Sequence, residues 1–283
     1  MNYRHAFHAG NFADVLKHAV LVRILVHLRT KPAAFRVIDT HAGAGIYDLT
    51  GPEAIRSPEW QGGIGRLMGA SLSTAARGLL QAYLDIVASR NPGEQLRCYP
   101  GSPAIVQALL RSQDRLLACE MEPNAAAALA RQLAADRRSK AVAIDGWTAL
   151  NAFIPPKERR GLVLIDPPFE DAGEFPRLAL ALEAAHRKWT GGSYLAWYPV
   201  KERGEPDALA RRLERAGIGK VLRVEFGIPP SGDTGRLAAC GLMAINPPWT
   251  LADELSILLP ELARALSKGG AGRSRVDWLA GER

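Results

Sequence analysis

The sequence has 283 residues and is 47% apolar, which suits one large α/β domain and argues against a chain that is disordered throughout. Lys and Arg number 36 against 29 acidic residues, a formal net charge of +7. This excess fits either an ordinary solvated surface or an anionic partner, with nucleic acid before a membrane surface. No apolar run approaches the roughly 20 residues of a membrane span, and residues 1–18 lack the apolar stretch of a signal peptide, so we expect a cytoplasmic protein without a membrane partner.

The three cysteines, Cys98, Cys119 and Cys240, form neither a CxxC pair nor a zinc-type spacing with histidine. An odd, scattered count is typical of a reducing compartment, which agrees with the cytoplasm. We therefore expect neither a disulfide framework nor a metal site.

Residues 11–28 are predicted to form a helix, because apolar side chains recur at helical spacing from Leu21 to Leu28 and Asn11 suits the N-cap. After this helix, short apolar strands alternate with further helices. Strands are expected at 35–39, 116–120, 141–145, 161–166, 193–199, 221–228 and 237–246, and helices near 123–135, 174–188, 205–216 and 250–267.

Strands that are apolar throughout and separated by helices indicate a mostly parallel sheet covered on both faces. The last two strands are joined by the loop PPSGDTG, which leaves no room for a crossover helix. These two strands should therefore pair antiparallel, with the strand 237–246 at the far edge of the sheet. An open α/β sheet that ends in such a hairpin resembles the Rossmann-like methyltransferases.

The segment 47–96 interrupts the alternation of strands and helices, and much of it has helical character. We interpret it as a helical insertion subdomain within one methyltransferase-like domain made of residues 1–46 and 97–283. Residues 1–30 of that domain form an N-terminal tail and helix before the first strand.

Three features follow successive strands in the order expected of a nucleotide site. The turn DTHAGAG contains Gly43, where a backbone can approach a ligand closely, and Glu120 is placed to accept hydrogen bonds from ribose hydroxyls. Asp145, followed by Gly146, can accept from an adenine amino group. Singly, these features also fit a tight turn, an acid at a helix N-terminus and an N-cap. Together they favour an adenosyl cofactor at the carboxyl ends of the strands.

The segment Asp166-Pro167-Pro168-Phe169 ends a strongly apolar strand, and its two prolines stiffen the backbone. The carboxylate of Asp166 and the carbonyl of Pro167 can accept the two hydrogens of an adenine amino group, which directs the nitrogen lone pair at a methyl sulfonium. Phe169 offers a stacking face to an extruded base. The segment therefore predicts methylation of a base amino group, carried by positioning and electrostatics without a metal.

A second segment, Asn246-Pro247-Pro248-Trp249, has the same loose pattern. The strand that ends in Asp166 follows the Asp145 strand directly, and this order favours Asp166 as the catalytic residue. We expect Asn246 to have a structural role.

Several motifs together resemble the RlmJ family of bacterial 23S rRNA adenine-N6 methyltransferases over essentially the whole chain. They are YRHAFHAGNFADVLKH at the N-terminus, DTHAGAG, YPGSP, EMEP, DG, LIDPPF, WYP and INPPW. The resemblance implies a Rossmann-like class I fold, S-adenosyl-L-methionine as cofactor and an adenine of 23S rRNA as substrate. One departure is Phe169, where the family usually has Tyr; stacking survives this change, but a hydroxyl hydrogen bond does not.

The resemblance also assigns residues to roles. It makes Asp166 catalytic, brings Tyr3 and His5 to the substrate adenosine, and places these residues at the cofactor: His18, His41, Ser102, Glu120, Asp145 and Gly146. Weaker candidates for cofactor or RNA-phosphate contacts are Arg4, Asn11 and Lys17. Nothing in the sequence implies an oligomer, and a monomer is expected.

Two other kinds of function remain open from the sequence. A DNA adenine or protein glutamine methyltransferase would carry a similar tetrapeptide, although the N-terminal block and the lack of an obvious DNA-specificity domain disfavour it. A non-catalytic RNA-binding protein on the same fold is disfavoured by the intact acids at 120, 145 and 166.

Overall fold

The computed structural model describes residues 4–93, 95–229, 237–267, 269 and 272–281, and Tyr3 and the loop 230–236 lie outside this part of the chain. The strands are β1 (Arg36–Asp39), β2 (Ile46–Asp48), β3 (Cys98–Pro100), β4 (Arg115–Glu120), β5 (Ser139–Ala143), β6 (Gly161–Ile165), β7 (Ser193–Pro199), β8 (Val221–Gly227), β9 (Ala239–Ile245) and β10 (Arg273–Ala280).

A short 3-10 helix, His5–Phe7, precedes the α-helices. These are α1 (Phe12–Arg29), α2 (Pro52–Arg56), α3 (Glu59–Gly62), α4 (Ile64–Met68), α5 (Thr74–Ser89), α6 (Ser102–Leu109), α7 (Pro123–Leu133), α8 (Gly146–Ala152), α9 (Glu174–Lys188), α10 (Gly204–Arg215) and α11 (Leu251–Leu266). Within the described residues, no helix is long and apolar enough to cross a membrane.

The main sheet has the strand order β10-β8-β9-β7-β6-β1-β4-β5. The five strands from β7 to β5 run parallel, whereas β9 is antiparallel to both β7 and β8. Two apolar clusters cover the two faces of the sheet, which explains why β6 and its neighbours are apolar at every position. The predicted mostly parallel sheet with a C-terminal antiparallel hairpin is confirmed.

Two details of the predicted sheet are wrong. The strand β9 lies between β7 and β8 and not at the far edge, because the hairpin folds back and its second strand pairs with β7. The sequence reading also missed β10, which pairs antiparallel with β8. Four of its eight residues are charged or polar, Arg273, Ser274, Arg275 and Asp277, which suits a solvated edge strand.

The predicted insertion contains the helices α2 to α5, which lie between the paired strands β2 and β3. Ile64 and Tyr83, from this segment, share one apolar cluster with Leu16 and Val20 of α1. The first long helix is consequently buried on nearly all sides, including its polar residues Asp14, Lys17 and His18. A buried charge of this kind requires a partner, which the neighbouring strand ends provide.

Candidate active site

A cavity of about 450 Å³ opens at the carboxyl ends of β1, β4, β5 and β6. This is the edge at which open α/β sheets bind ligands. Nine of the predicted site residues line it: His5, His18, His41, Gly43, Ser102, Glu120, Asp145, Gly146 and Asp166. Folding therefore brings together residues from six separate parts of the sequence.

The glycine turn after β1 is fixed by Glu120. The Glu120 carboxylate accepts hydrogen bonds from the backbone N–H groups of Gly43, Met121 and Glu122, each at 2.8 Å. Gly43 has φ of +63°, and a Cβ there would lie 2.1 Å from the hydroxyl oxygen of Tyr47, so a side chain is excluded. Glu122, not Glu120, caps α7, which leaves Glu120 beside the cavity.

The far end of the cavity is built around Asp145. Its Oδ2 caps α8 by accepting from the backbone N–H of Thr148 at 2.8 Å, so the N-cap role considered from the sequence is present alongside the cavity position. A Cβ on Gly146 would lie 2.3 Å from the carbonyl oxygen of Thr40 and 2.6 Å from the His41 ring. Only glycine fits this position.

An aromatic wall continues from Asp145. The rings of Trp147 and His41 pack edge to face, with 5.3 Å between their centroids. The guanidinium of Arg177, a residue of α9, lies 4.8 Å from the centroid of the Trp147 ring. Burial lowers the pKa of His41 to about 4, so its imidazole is neutral at physiological pH. The wall offers flat surfaces of the kind that an adenine ring stacks on.

His18 and Ser102 line the cavity near the ends of β1 and β6. The Ser102 hydroxyl donates to Oδ2 of Asp39 at 2.7 Å, and Asp39 is fully buried. Burial raises the pKa of Asp39 to about 7. The Nδ1 of His18 lies 2.7 Å from the hydroxyl of Tyr99, whereas its buried Nε2 has no hydrogen-bond partner among the described residues. Such an orphaned polar atom in a cavity wall is a ready contact for a ligand.

Asp166 is tied to the first helix through a buried lysine. The ammonium group of Lys17, only 4% exposed, contacts both Asp166 and, at 2.8 Å, Asp14. Asp14 also accepts hydrogen bonds from His5 Nε2 and from the backbone N–H of Gly10, both at 2.9 Å. Burial opposes the charge on Lys17, but the two carboxylates outweigh it and raise the pKa of Lys17 well above its usual value.

The same network acts on Asp14. Burial alone would raise its pKa, yet the neighbouring His5 and Lys17 lower the pKa of Asp14 well below its usual value. A continuous series of contacts, His5–Asp14–Lys17–Asp166, therefore links the N-terminal segment, residues 4–11, to the end of β6. Asp14 was not predicted from the sequence as a site residue, and Lys17 was only a weaker candidate. The pattern that could have identified both is a pair of opposite charges at positions i and i+3 on a helix that is otherwise apolar.

Comparison with known proteins identifies the family of the chain. The chain matches the family described as "Ribosomal RNA large subunit methyltransferase D, RlmJ" over residues 32–280. It is 39% identical to the "Ribosomal RNA large subunit methyltransferase J" of Haemophilus influenzae and 39% identical to the protein of the same name from Escherichia coli K12, in both cases over the full length of both chains. The chain belongs to the RlmJ family. A crystal structure of a protein from Legionella pneumophila is similar as well, with a TM-score of 0.87 and 33% identity over 96% of this chain and 98% of that one.

Membership of the RlmJ family confirms the resemblance inferred from the sequence motifs, and the sheet is that of a Rossmann-like class I methyltransferase. Within the described residues, no group of His, Cys, Asp and Glu side chains is arranged to hold a metal ion.

Two members of the catalytic segment are not in the cavity wall. Pro167 is buried, and Pro168 lines the cavity in its place. Phe169 has φ of +51°, and its ring packs against Phe175 and Trp197 at 4.8 and 5.8 Å between centroids. The structure therefore does not present Phe169 to the cavity as the expected stacking face, because the left-handed backbone turns its ring into the apolar cluster beside α9.

The second Pro-Pro segment is remote from the site. Nδ2 of Asn246 donates to the carbonyl oxygens of Thr190 and Gly192 at 2.8 and 2.9 Å. These bonds join the end of β9 to the turn that precedes β7, at the opposite end of β7 from its carboxyl end. Asn246 does not line the cavity. This geometry supports the structural role expected for it.

Proposed function

We propose that this chain is an S-adenosyl-L-methionine-dependent methyltransferase that methylates the N6 amino group of an adenine in 23S rRNA. The observation that carries the proposal is the convergence of Asp166, Glu120 and Asp145 on one cavity in a member of the RlmJ family. A protein acting on ribosomal RNA of a bacterial cell is expected to work in the cytoplasm.

The residues present suit the cofactor. Glu120 would accept from the ribose hydroxyls, and Asp145 would accept from the adenine amino group beside the Trp147 wall. Gly43 and Gly146 allow the close backbone packing that forms this part of the cavity wall, because a Cβ at either position would collide with protein atoms. His18 and Ser102 would meet the amino-acid end, where the orphaned Nε2 of His18 supplies a polar contact.

When bound, the cofactor supplies an electrophilic methyl group on sulfur. The chain's own task is to orient the adenine nitrogen, because its lone pair is delocalised into the ring and is a weak nucleophile. The Asp166 carboxylate would accept one N6 hydrogen, and the carbonyl of Pro167 would accept the other if substrate binding exposes this buried residue. The nitrogen gains the methyl group and gives up one of its two protons to water. Lys17 occupies Oδ2 of Asp166 and so fixes the direction of the carboxylate.

Substrate contacts would come from the N-terminal segment. His5 lines the cavity and is held there by its hydrogen bond to Asp14. Tyr3 and Phe169 remain candidates for contact with the substrate base. Phe169 would have to leave its contacts with Phe175 and Trp197 to reach a base, so its role requires a change of conformation at the segment.

The proposal is tested by mass spectrometry of 23S rRNA from cells with and without the gene. We expect one N6-methyladenosine to be missing without the gene and restored by purified protein, S-adenosylmethionine and that RNA. Unchanged rRNA together with methylation of DNA adenine would instead support the DNA methyltransferase alternative. Absence of S-adenosylhomocysteine binding in calorimetry would contradict any cofactor-dependent activity.

A further inference from the structure

Two buried tyrosines outside the predicted site extend from His18 away from the cavity. The Nδ1 of His18 lies 2.7 Å from the hydroxyl oxygen of Tyr99 on β3, and that oxygen lies 2.8 Å from the hydroxyl oxygen of Tyr83 on α5. Both tyrosines are completely buried, and the rings of His18 and Tyr99 are stacked. None of these atoms has access to water, so the three groups must satisfy one another.

Counting hydrogens decides which way this chain runs. If Nδ1 of His18 is the acceptor, Tyr99 donates to Nδ1, Tyr83 donates to Tyr99, and both hydroxyl hydrogens are used. If Nδ1 carries the hydrogen, one of the two hydroxyl hydrogens lacks an acceptor in the part of the chain that the structure describes. Among the described residues, the first arrangement leaves only the Nε2–H of His18 without an acceptor, and His18 lines the cavity, where a ligand can accept from it. The second leaves a hydroxyl hydrogen of Tyr99 or Tyr83 without an acceptor, and neither tyrosine lines the cavity. The first arrangement is therefore favoured, because a buried donor without an acceptor is costly. Burial also lowers the pKa of His18 to about 3, so the ring is neutral and carries a single N–H.

We propose that Tyr99 is a positioning residue that, supported by Tyr83, fixes His18 as an Nε2–H donor to the carboxylate at the amino-acid end of the cofactor. The proposal rests on the proposed function for the identity of the ligand. It assigns to the insertion a part in cofactor binding, because Tyr83 belongs to α5.

The location of His18 favours the amino-acid end. The preceding residue, Lys17, contacts Asp166 at the end of β6, and the neighbouring Ser102 bonds Asp39 at the end of β1. Asp145 follows β5, which lies two strands beyond β1, a separation of about 10 Å across the sheet. A donor near Asp166 and distant from Asp145 suits the carboxylate and not the adenine.

The tautomer can be measured without any ligand. Nitrogen NMR of histidine-labelled protein at pH 7.5 reports the protonation of each ring nitrogen, and the His18 signals are those lost in His18→Gln. We expect Nε2 protonated and Nδ1 unprotonated in the wild type and in Tyr83→Phe, and a mixture of tautomers in Tyr99→Phe. A protonated Nδ1 in the wild type, or unchanged signals in Tyr99→Phe, would overturn the proposal.

Ligand binding supplies the second readout. Tyr99→Phe should weaken S-adenosylhomocysteine by about tenfold in calorimetry and should leave methylthioadenosine, which lacks the amino-acid end, nearly unaffected. Tyr83→Phe should weaken S-adenosylhomocysteine less than Tyr99→Phe does. Equal losses for both ligands would contradict the contact with the carboxylate.

A matched control separates this effect from a general loss of packing. Tyr194 is also fully buried, and its hydroxyl donates to the carbonyl oxygens of Ala185 and Trp189 on the other face of the sheet. Tyr194→Phe should lower stability without changing the His18 signals or the affinity. If the wild-type protein does not bind S-adenosylhomocysteine, both the proposed function and the cofactor contact of His18 are contradicted. If it binds S-adenosylhomocysteine but Nδ1 of His18 is protonated, only the positioning of His18 by Tyr99 and Tyr83 is contradicted.

Discussion

The ammonium group of Lys17 in α1 contacts the carboxylate of Asp166, 149 positions later in the sequence. This contact places a buried positive charge beside the group that would receive the adenine amino hydrogens. It also joins the helix that follows the N-terminal segment to the strand end that carries the catalytic tetrapeptide. The contact therefore holds α1 and the Asp166 end of β6 together.

Asp166→Asn should abolish most turnover while the cofactor still binds. The amide keeps the shape of the carboxylate but removes its charge and one acceptor, so we expect turnover to fall about 100-fold or more. S-adenosylhomocysteine affinity should change by less than about threefold, because Glu120 and Asp145 are untouched. The matched control is Asn246→Ala, which alters the other Pro-Pro segment; an inactive Asn246→Ala with an active Asp166→Asn would reverse the assignment.

Lys17→Met should destabilise the fold. It leaves the carboxylates of Asp14 and Asp166 close together without their cation, and loss of one partner from a buried ion pair costs about 3–5 kcal/mol. Urea unfolding measures this loss directly. Adding Asp14→Asn to Lys17→Met removes one of the unpaired charges and should restore part of the stability. Strictly additive losses in the double variant would show that Asp14 and Lys17 are not coupled.

The pH dependence of stability should carry a signature of His18. Its pKa is lowered to about 3 in the folded chain and is about 6.5 when unfolded, so the unfolded state binds more protons between these values. The contribution of His18 to the free energy of unfolding is therefore fully present above pH 6.5 and is lost as the pH falls towards 3. Between pH 6.5 and 5 the loss from this residue should be about 2 kcal/mol. Urea unfolding of wild type and His18→Gln at both pH values measures the difference; parallel pH profiles would contradict it.

Local patterns were sufficient to predict most of the fold. Apolar runs such as the one at 161–166 gave the parallel strands, and the short loop after 228 gave the antiparallel hairpin. The strand β10 was missed because its charged and polar residues resemble a solvated tail when its pairing with β8 is not known. Strand position within the sheet likewise depends on pairing between distant segments, which is why β9 was misplaced.

The site was predictable where a residue type marks a strand end, as with Gly43, Glu120 and Asp145. It was not predictable where a contact depends on tertiary packing. Asp14 belongs to the site because it contacts Lys17 and His5, and the contact with His5 forms only in the folded chain. The direction of a side chain is equally non-local, since the positive φ of Phe169 turns its ring away from the cavity.

Gly146→Ala should damage the cofactor site more than the fold at large. The new Cβ would lie 2.3 Å from the Thr40 carbonyl oxygen, so the start of α8 must shift away from the cavity edge. We expect S-adenosylhomocysteine affinity to fall by about tenfold or more, measured by calorimetry. The control is Gly78→Ala, where a Cβ meets no atom within 4 Å and alanine favours the helix. Equal affinities for the two variants would contradict the close contact at Gly146.

Contacts between the insertion and the N-terminal segment suggest that the insertion helps to orient His5. Oε2 of Glu59 on α3 lies 3.1 Å from His8 Nδ1 and accepts from Nδ2 of Asn11 at 3.0 Å, and Asn11 in turn caps α1. The segment is therefore held at two points just before Asp14. The insertion 47–96 carries four basic and five acidic residues and so has no share in the net positive charge of the chain. Its composition favours this positioning role over direct attraction of RNA.

Glu59→Ala should accordingly lower turnover while the affinity for S-adenosylhomocysteine remains. Loss of the carboxylate removes one contact of His8 and one hydrogen bond of the Asn11 amide, so His5 is less well oriented through Asp14. We expect turnover to fall about threefold to tenfold. The control is Asp85→Ala, which removes an exposed carboxylate of the same insertion that accepts from Gln81 on α5. Single-turnover kinetics with saturating RNA measure both variants. If Asp85→Ala slows the reaction as much as Glu59→Ala, the insertion acts through its general charge and not through the N-terminal segment.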